Sequence, residues 1–448
     1  TPLYSSAASD VYKRQLQNRF VISKSKLIGY IIIYFMLLCN QSNFSEIYMT
    51  PYRTIIMLIL LGVFLIKAKG KIKTYCFLFI SFLVAYALLL RLGVGGIGIR
   101  IIAQFFVEIL VVWLAVSTNK QYFWERYVKT VVFFASISLI LWFLSVLQIN
   151  IWDQITPEVD SLMSYRIYSD SSTYQEFSYK LHGMFLYSHR TVDMRNVSIF
   201  TEPGIYQMVL NTAIFVLLFL RDKLVSFSDK KVGRALMILS CALLSTQSTT
   251  GYISLCFIVL FYMFFEKKEN TERNWKQKIC IALFVMLLFL MIDYMVRGKE
   301  SFIQISLISK LFSGEKKLSL DESGMARADV IFLAIQSMVR HPFGMGYSRF
   351  GTLMNVQSTG MAGAAIMQFG AAWGILPLIA VIWWIFYPAL KFCKKRYVAV
   401  VYIIMYINTV LAQSDLFYPT LIMIPIGLYS FDTAYFAINN DREEYEKL

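Results

Sequence analysis

In RNVSIFTEPGIY, residues 195–206, an arginine, a glutamate and a Pro-Gly pair stand together, and the run that follows up to Leu220 carries no charge. A guanidinium offers a planar fork that bonds two oxygens of an anion at once and stays charged beside a membrane. A carboxylate can take a proton from a hydroxyl or fix the orientation of an arginine. Pro203 suits the first position of a helix, where its missing N–H costs nothing, so Thr201 or Glu202 also reads as a helix cap. The chemical and the capping readings of Glu202 are compatible.

Two further stretches combine polar groups with breaks. SGMARADVIFLAIQSMVRHPFGMGYSRFG, residues 323–351, holds Arg327, Arg340, His341 and Arg349. Its apolar spacing predicts a short helix from Asp329 to Val339, with Arg327 at its start, Arg340 and His341 at its end, and Pro342, Gly344 and Gly346 stopping it. Roughly a dozen residues do not cross a hydrocarbon layer about 30 Å thick, so this helix is expected to lie at the interface or to re-enter. His341 is either a base or the plain end of a helix before proline. STQSTTGY, residues 245–252, is uncharged. It reads either as a tight turn or as a helix start where Ser248, Thr249 and Gly251 bring hydroxyls and backbone N–H groups to phosphate oxygens.

The elements that must position these residues follow from composition. Of 448 residues, 57% are hydrophobic and only 16% charged, with a mean hydropathy of +0.57, outside the range of an ordinary soluble domain. The apolar runs 27–39, 54–66, 74–90, 98–117, 130–149, 203–220, 235–247, 250–265, 279–296, 361–390, 397–413 and 419–438 predict an all-α polytopic membrane protein of about 12 transmembrane helices. With both termini cytoplasmic, the inner segments collect 28 of the 43 basic residues but only 11 of the 28 acidic ones. The positive-inside rule thus accounts for the net charge of +15. A nucleic-acid partner needs basic residues on one folded surface, and these are spread over seven short segments.

This topology leaves two long outer loops, 150–202 and 297–360, and long connections in a compact fold are usually functional. The first carries Trp152, Tyr165, Tyr168, Tyr174, Tyr179 and Tyr187. Those rings suit stacking on sugars or an aromatic belt at the interface. Charges inside spans are rare, which singles out Arg100, Glu108, Asp293 and Asp432; Glu108 lies deep and has no partner legible in sequence. Six cysteines lie in spans or at cytoplasmic ends, so no disulfide framework is implied, and three scattered histidines predict no metal site. No cofactor is expected. TPLYSSAASDVYKRQ, residues 1–15, looks non-native, leaving residues 16–448 as a single membrane domain.

Taken together, the three motifs resemble those of the bacterial O-antigen polymerase and O-antigen ligase family. RNVSIFTEPGIY resembles its Arg…Phe-x-Glu-Pro element before a span, STQSTTGYISL its Ser-(Arg/Thr)-Gly hairpin, and RADVIFLAIQSMVRHPFGMGYSRF its Arg…His-Pro-x-Gly-x-Gly element, in the same order over roughly residues 195–376. The ligase branch typically shows a His-Asn pair shortly before a final Gly-x-x-Gly helix start. The corresponding STGMAGAAIMQFGAAWGILPL contains no histidine, so the resemblance is to the polymerase branch.

The resemblance implies an inverting glycosyl transfer at the outer face of the bacterial cytoplasmic membrane, without metal or nucleotide sugar. A glycan on undecaprenyl pyrophosphate is passed to a sugar hydroxyl of another lipid-linked repeat unit. The alternatives are a ligase, or, in another class, a flippase or transporter of lipid-linked oligosaccharide. Partners would be undecaprenyl-pyrophosphate-linked glycans and the bilayer, with a chain-length regulator and a flippase, and no nucleic acid. Under this reading Arg195 and Arg327 bind the departing pyrophosphate, with Arg340 and Arg349 as lesser candidates, since fixed cations act on charge that grows in the transition state. Each arginine could instead snorkel or pair with a loop acid. Glu202, or else His341, takes the hydroxyl proton.

Overall fold

The computed structural model describes residues 24–45, 49, 52–68, 70–94, 99–147, 195–224, 226–265, 322–356, 363–393 and 395–430, with Tyr187 and four short strands between 168 and 190. The helices are α1 Lys24–Leu38, α2 Arg53–Lys67, α3 Gly70–Val94, α4 Ile99–Asn119, α5 Phe123–Val146, α6 Pro203–Phe219, α7 Asp229–Ser245, α8 Thr249–Phe265, α9 Glu322–Arg340, α10 Tyr347–Val356, α11 Ala365–Trp373, α12 Ile375–Phe392 and α13 Arg396–Ala412, and α14 Pro419–Ser430. Among the described residues, Ile72–Gly93, Ile101–Val146 and Ile375–Phe392 are long and apolar enough to cross a membrane. The second of these is two helices, because a 3-10 turn at Lys120–Tyr122, with Lys120 at φ +48°, divides α4 from α5. The apolar run 279–296, Asp293 and Asp432 lie outside the described residues.

At the centre stands α6, flanked by α5, α7, α8 and α13. A helix apolar all round belongs inside a bundle, and the residues from Ile205 to Leu218 are all buried. Its few polar side chains bond mostly close by, though Asn211 Oδ1 is buried without a partner among the described residues. Gln207 Nε2 donates to Gly204 O at 2.9 Å, Asn211 Nδ2 to Gln207 Oε1 at 2.9 Å and to Gly251 O at 3.0 Å, and Thr212 Oγ1 to Met208 O at 2.8 Å. The close approach of α8 depends on Gly251, where a Cβ would stand 2.9 Å from Gln207 Cβ.

Successive helix ends gather at two opposite faces. At one, Asn43 N donates to Ile199 O, Thr201 N to Gln41 O, Asn196 N to Ser245 O, Ala364 N to Leu411 O and Ala365 N to Gln413 O, all within 3.0–3.2 Å. At the other, Asn119 Nδ2 donates to Gly29 O at 3.2 Å, Ser226 N donates to Glu125 Oε2 at 2.8 Å, and the rings of Phe265 and Tyr397 stack with centroids 5.6 Å apart. This second face carries Lys67, Lys73, Lys120, Arg126, Lys129, Arg221, Lys391, Lys395 and Arg396.

Two expectations need correction. The run 361–390 is not one helix: it breaks at Gly374 into α11 and α12, with φ +95° opposite Gly344 at φ +91°. The two glycines let backbone stack on backbone, and the turn after α9 fills the break through Met345 N to Ala371 O at 3.1 Å, Gly346 N to Ala372 O at 2.9 Å and Ile375 N to Pro342 O at 2.9 Å. The short helix expected over 329–339 runs instead from Glu322 to Arg340, 19 residues, so Arg327 lies in its second turn. Met325 and Ala326 favour helix and one glycine at 324 is a weak stop, so the turn before Asp329 stays helical. The loop 150–202, expected as a long outer connection, carries local β structure. It contains antiparallel ribbons pairing Tyr168–Asp170 with Thr173–Gln175 and Tyr179–Lys180 with His189–Arg190.

Gly374→Ala should show how much rests on that break. Its new Cβ would stand 2.5 Å from the Phe343 carbonyl carbon at a φ that L-residues avoid, so we expect a loss of about 2 kcal/mol or more and a clearly lower Tm in detergent. Gly351→Ala in α10, with nothing within 4 Å of the added Cβ, should leave Tm unchanged or slightly raised.

Candidate functional site

The N-terminus of α6 is set by a strap, residues 195–201, lying across the connection after α1. Ser198 adopts φ +52° and its N–H bonds Asn196 Oδ1 at 3.0 Å, turning the chain so that Thr201 meets Gln41 through both N–H and hydroxyl, each at 3.1 Å. Glu202 then takes the N-cap position with extended backbone (φ −140°, ψ 147°), and its carbonyl accepts from Ile205 N and Tyr206 N. Its side chain makes no capping bond, and Thr201 Oγ1 is engaged by Gln41, so α6 is capped by neither side chain. The half-buried Glu202 carboxyl therefore stands at the helix mouth without a capping task.

Arg195 reaches α7. Its Nε donates to Thr246 O and its Nη2 to Gln247 O, each at 3.0 Å, placing a cation on the carbonyl end of a helix. Thus the first motif and STQSTTGY meet. In that second motif Gln247 turns at φ +50° and Ser248 Oγ accepts from Gly251 N at 3.4 Å. Ser248 and Gly251 are buried while Thr249 is half-buried. Capping by Ser248 and helix packing by Gly251 are the tasks the geometry gives these residues.

The half-buried Arg327 joins the same face. Its Nε stands 3.3 Å from where a Cβ would sit on Gly363, whose backbone is packed against Ala412 O. Next to Ala412, the Gln413 amide lies over Gly204, two residues from Glu202. Arg340 is thirteen residues beyond Arg327, about 20 Å along α9 at 1.5 Å per residue. Arg340, His341 and Arg349 are exposed beside the Gly374 break and are not brought to the α6 mouth. Of the loop aromatics, Tyr187 is buried, with Ser145 as a hydrogen-bond partner, and burial pushes its phenol well above the usual range. It is therefore a packed residue and not an open stacking surface. Trp152 and Tyr165 lie outside the described residues. Among the described residues no three His, Cys, Asp or Glu side chains gather as metal ligands would.

A second polar centre, beneath the same face, was only half visible in sequence. Gln104 Nε2 donates both to Glu108 Oε1 at 3.1 Å and to Asp415 Oδ2 at 2.6 Å, while Arg53 Nη1 donates to Gln104 Oε1 at 2.5 Å. Gln104 and Glu108 are one helical turn apart in an otherwise apolar segment, which is the signal that reasoning from sequence can use. Asp415 is more than 300 residues away, and no spacing rule reaches it.

No sequence-family model, curated protein or solved structure matches the chain.

Arg195→Ala would strip the donors from two carbonyls, one of them on the fully buried Thr246. A loss of about 1–3 kcal/mol is expected at this turn. It should appear as faster amide exchange over residues 245–252, with exchange in α9 unchanged.

Proposed function

We propose that this protein polymerises lipid-linked oligosaccharide repeat units at the outer face of the bacterial cytoplasmic membrane. The observation that carries the reading is that Arg195 and Glu202, on the strap before α6, stand at the same end of the bundle as Arg327 from the distant α9, Arg195 held against the end of α7 and Arg327 beside Gly363 and the end of α13. The opposite face carries the basic residues, which by the positive-inside rule makes it cytoplasmic and the α6 mouth extracytoplasmic. Both termini are then cytoplasmic, and about 12 spans complete the topology.

In this reading a sugar hydroxyl of one lipid-linked unit attacks the anomeric carbon of the glycan on another. The carbon–oxygen bond to the undecaprenyl pyrophosphate breaks, its electron pair leaving with the phosphate oxygen, and the configuration inverts. Arg195 and Arg327 act on the charge that gathers on the leaving pyrophosphate. Glu202 takes the hydroxyl proton. Arg340, His341 and Arg349, exposed at the far end of α9, would touch only outlying parts of the substrate.

One set of observations favours a transporter instead: α11 and α12 are broken at Gly374, the link 413–418 is non-helical, and buried carboxylates stand beside it. Interrupted helices around midplane polar groups are features of transporters. A strain deleted for its own polymerase, given this gene with its native glycan cluster, separates the two. We expect a surface-glycan ladder that collapses to single repeats in Arg195→Ala and Arg327→Ala and weakens in Glu202→Gln, at equal membrane abundance. Loss of all surface glycan without the gene would favour transport, and intact ladders in all three variants would sink the site assignment.

A further inference from the structure

We propose that Glu108 and Asp415 form a proton-binding pair inside the bundle, holding one exchangeable proton between them at neutral pH. The two carboxylates share a single donor nitrogen, Gln104 Nε2, so their bonded oxygens are no further apart than the sum of those two bonds. Both residues are buried, Glu108 at 4% and Asp415 at 5% exposure. Close by in sequence to the pair, the rings of Phe105 and Phe417 pack on each other and on Phe369, with Phe105 and Phe417 centroids 4.7 Å apart. Like charges this close in a dry site do not both persist without compensation, and such pairs titrate as a unit.

Among the described residues, the surrounding groups supply one charge where two are needed. Arg53, from α2, is the cation acting on both carboxyls. The other titratable groups facing the pair among the described residues are Cys39 at the end of α1, Tyr347 from α10 and Tyr406 from α13, all ordinarily neutral at neutral pH. Two carboxylates and one guanidinium leave a net negative charge. An independent observation shows where a proton fits: Glu108 Oε2 is buried and has no hydrogen-bond donor. Once protonated it becomes a donor, and the Asp415 carboxylate is within hydrogen-bonding reach to accept. A single proton thus removes both the excess charge and the orphaned atom. Arg53 and Gln104 are only half-buried, so the pair is one side chain away from exchange with the surface.

The site does not depend on the glycan reading. The test is infrared spectroscopy on the full-length protein in detergent, titrated from mildly acid to mildly alkaline pH in choline chloride and again in sodium chloride. We expect a protonated-carboxyl C=O band that disappears on alkalinisation in both salts and is missing from Glu108→Gln and from Asp415→Asn. Glu108→Gln imitates the protonated form, so its Tm should hold at alkaline pH where that of the unsubstituted protein falls. The sign follows because a proton bound in the folded state and released on unfolding stabilises less as pH rises. A band that vanishes only when sodium is present would make this a metal-cation site and overturn the proposal. So would identical titrations in all three proteins, which would mean an ionised, purely structural pair. If neither variant folds, an alkaline-labile band and falling Tm in the unsubstituted protein support the pair, and a flat response in both overturns it.

Discussion

Buried backbone that is not helical must find its hydrogen-bond partners inside the protein, and the architecture at the α6 mouth is organised by that constraint. Lipid supplies no donors or acceptors, and each buried group left unmatched costs about 1–3 kcal/mol. Three irregular segments meet there, 39–42, 195–201 and 413–418, and side chains complete what backbone alone cannot. Asn40 Oδ1 accepts from Thr420 N at 3.0 Å and Thr420 Oγ1 at 2.6 Å, and Gln41 Oε1 from the Tyr418 hydroxyl at 3.2 Å. From below, the hydroxyls of Tyr406 and Tyr402 donate to Leu416 O at 2.9 Å and Leu421 O at 3.0 Å. Asparagine, glutamine and tyrosine near the helix ends replace the water that a soluble protein would use.

This interlock has a mechanical result. Because the strap is tied to α1 on one side and to α7 on the other, main chain holds Glu202 at the helix mouth. Sites held by rigid surroundings keep their geometry better than those on free loops. Glycine provides the close approaches that complete the frame: Gly251 seats α8 against α6, and Gly427 seats α14 against the Trp124 ring.

Much of the helical layout was legible because long apolar runs have one dominant meaning in a membrane protein. The start of α6 was legible for a similar reason, since proline after a polar residue and before an apolar run marks a helix entry. The break at Gly374 was hidden by the same logic. AAWGILPL contains no charge, so hydropathy carries straight through it, and the glycine acquires meaning only against Gly344, thirty residues earlier. The N-terminal turn of α9 was missed because Asp329 looks like a start, whereas the residues before it also favour helix. Arg195 was visible as a cation but not as a clamp on α7, because its partners are backbone carbonyls, which leave no mark in residue identity. The partner of Glu108 was hidden by sequence distance alone.

The way the arginines are held also bears on what the α6 mouth can do. At the basic face the ion pairs are direct: Lys129 with Glu125 at 2.5 Å, and Arg221 with Asp229. At the α6 mouth, Arg195 bonds two peptide carbonyls. Under the proposed function, an arginine held in place by backbone carbonyls meets an arriving anion already aligned, which is the condition under which electrostatic stabilisation of a transition state is largest. The same reasoning separates Arg195 from Arg340 and Arg349, whose exposed side chains would have to be immobilised by the substrate itself before contributing as much.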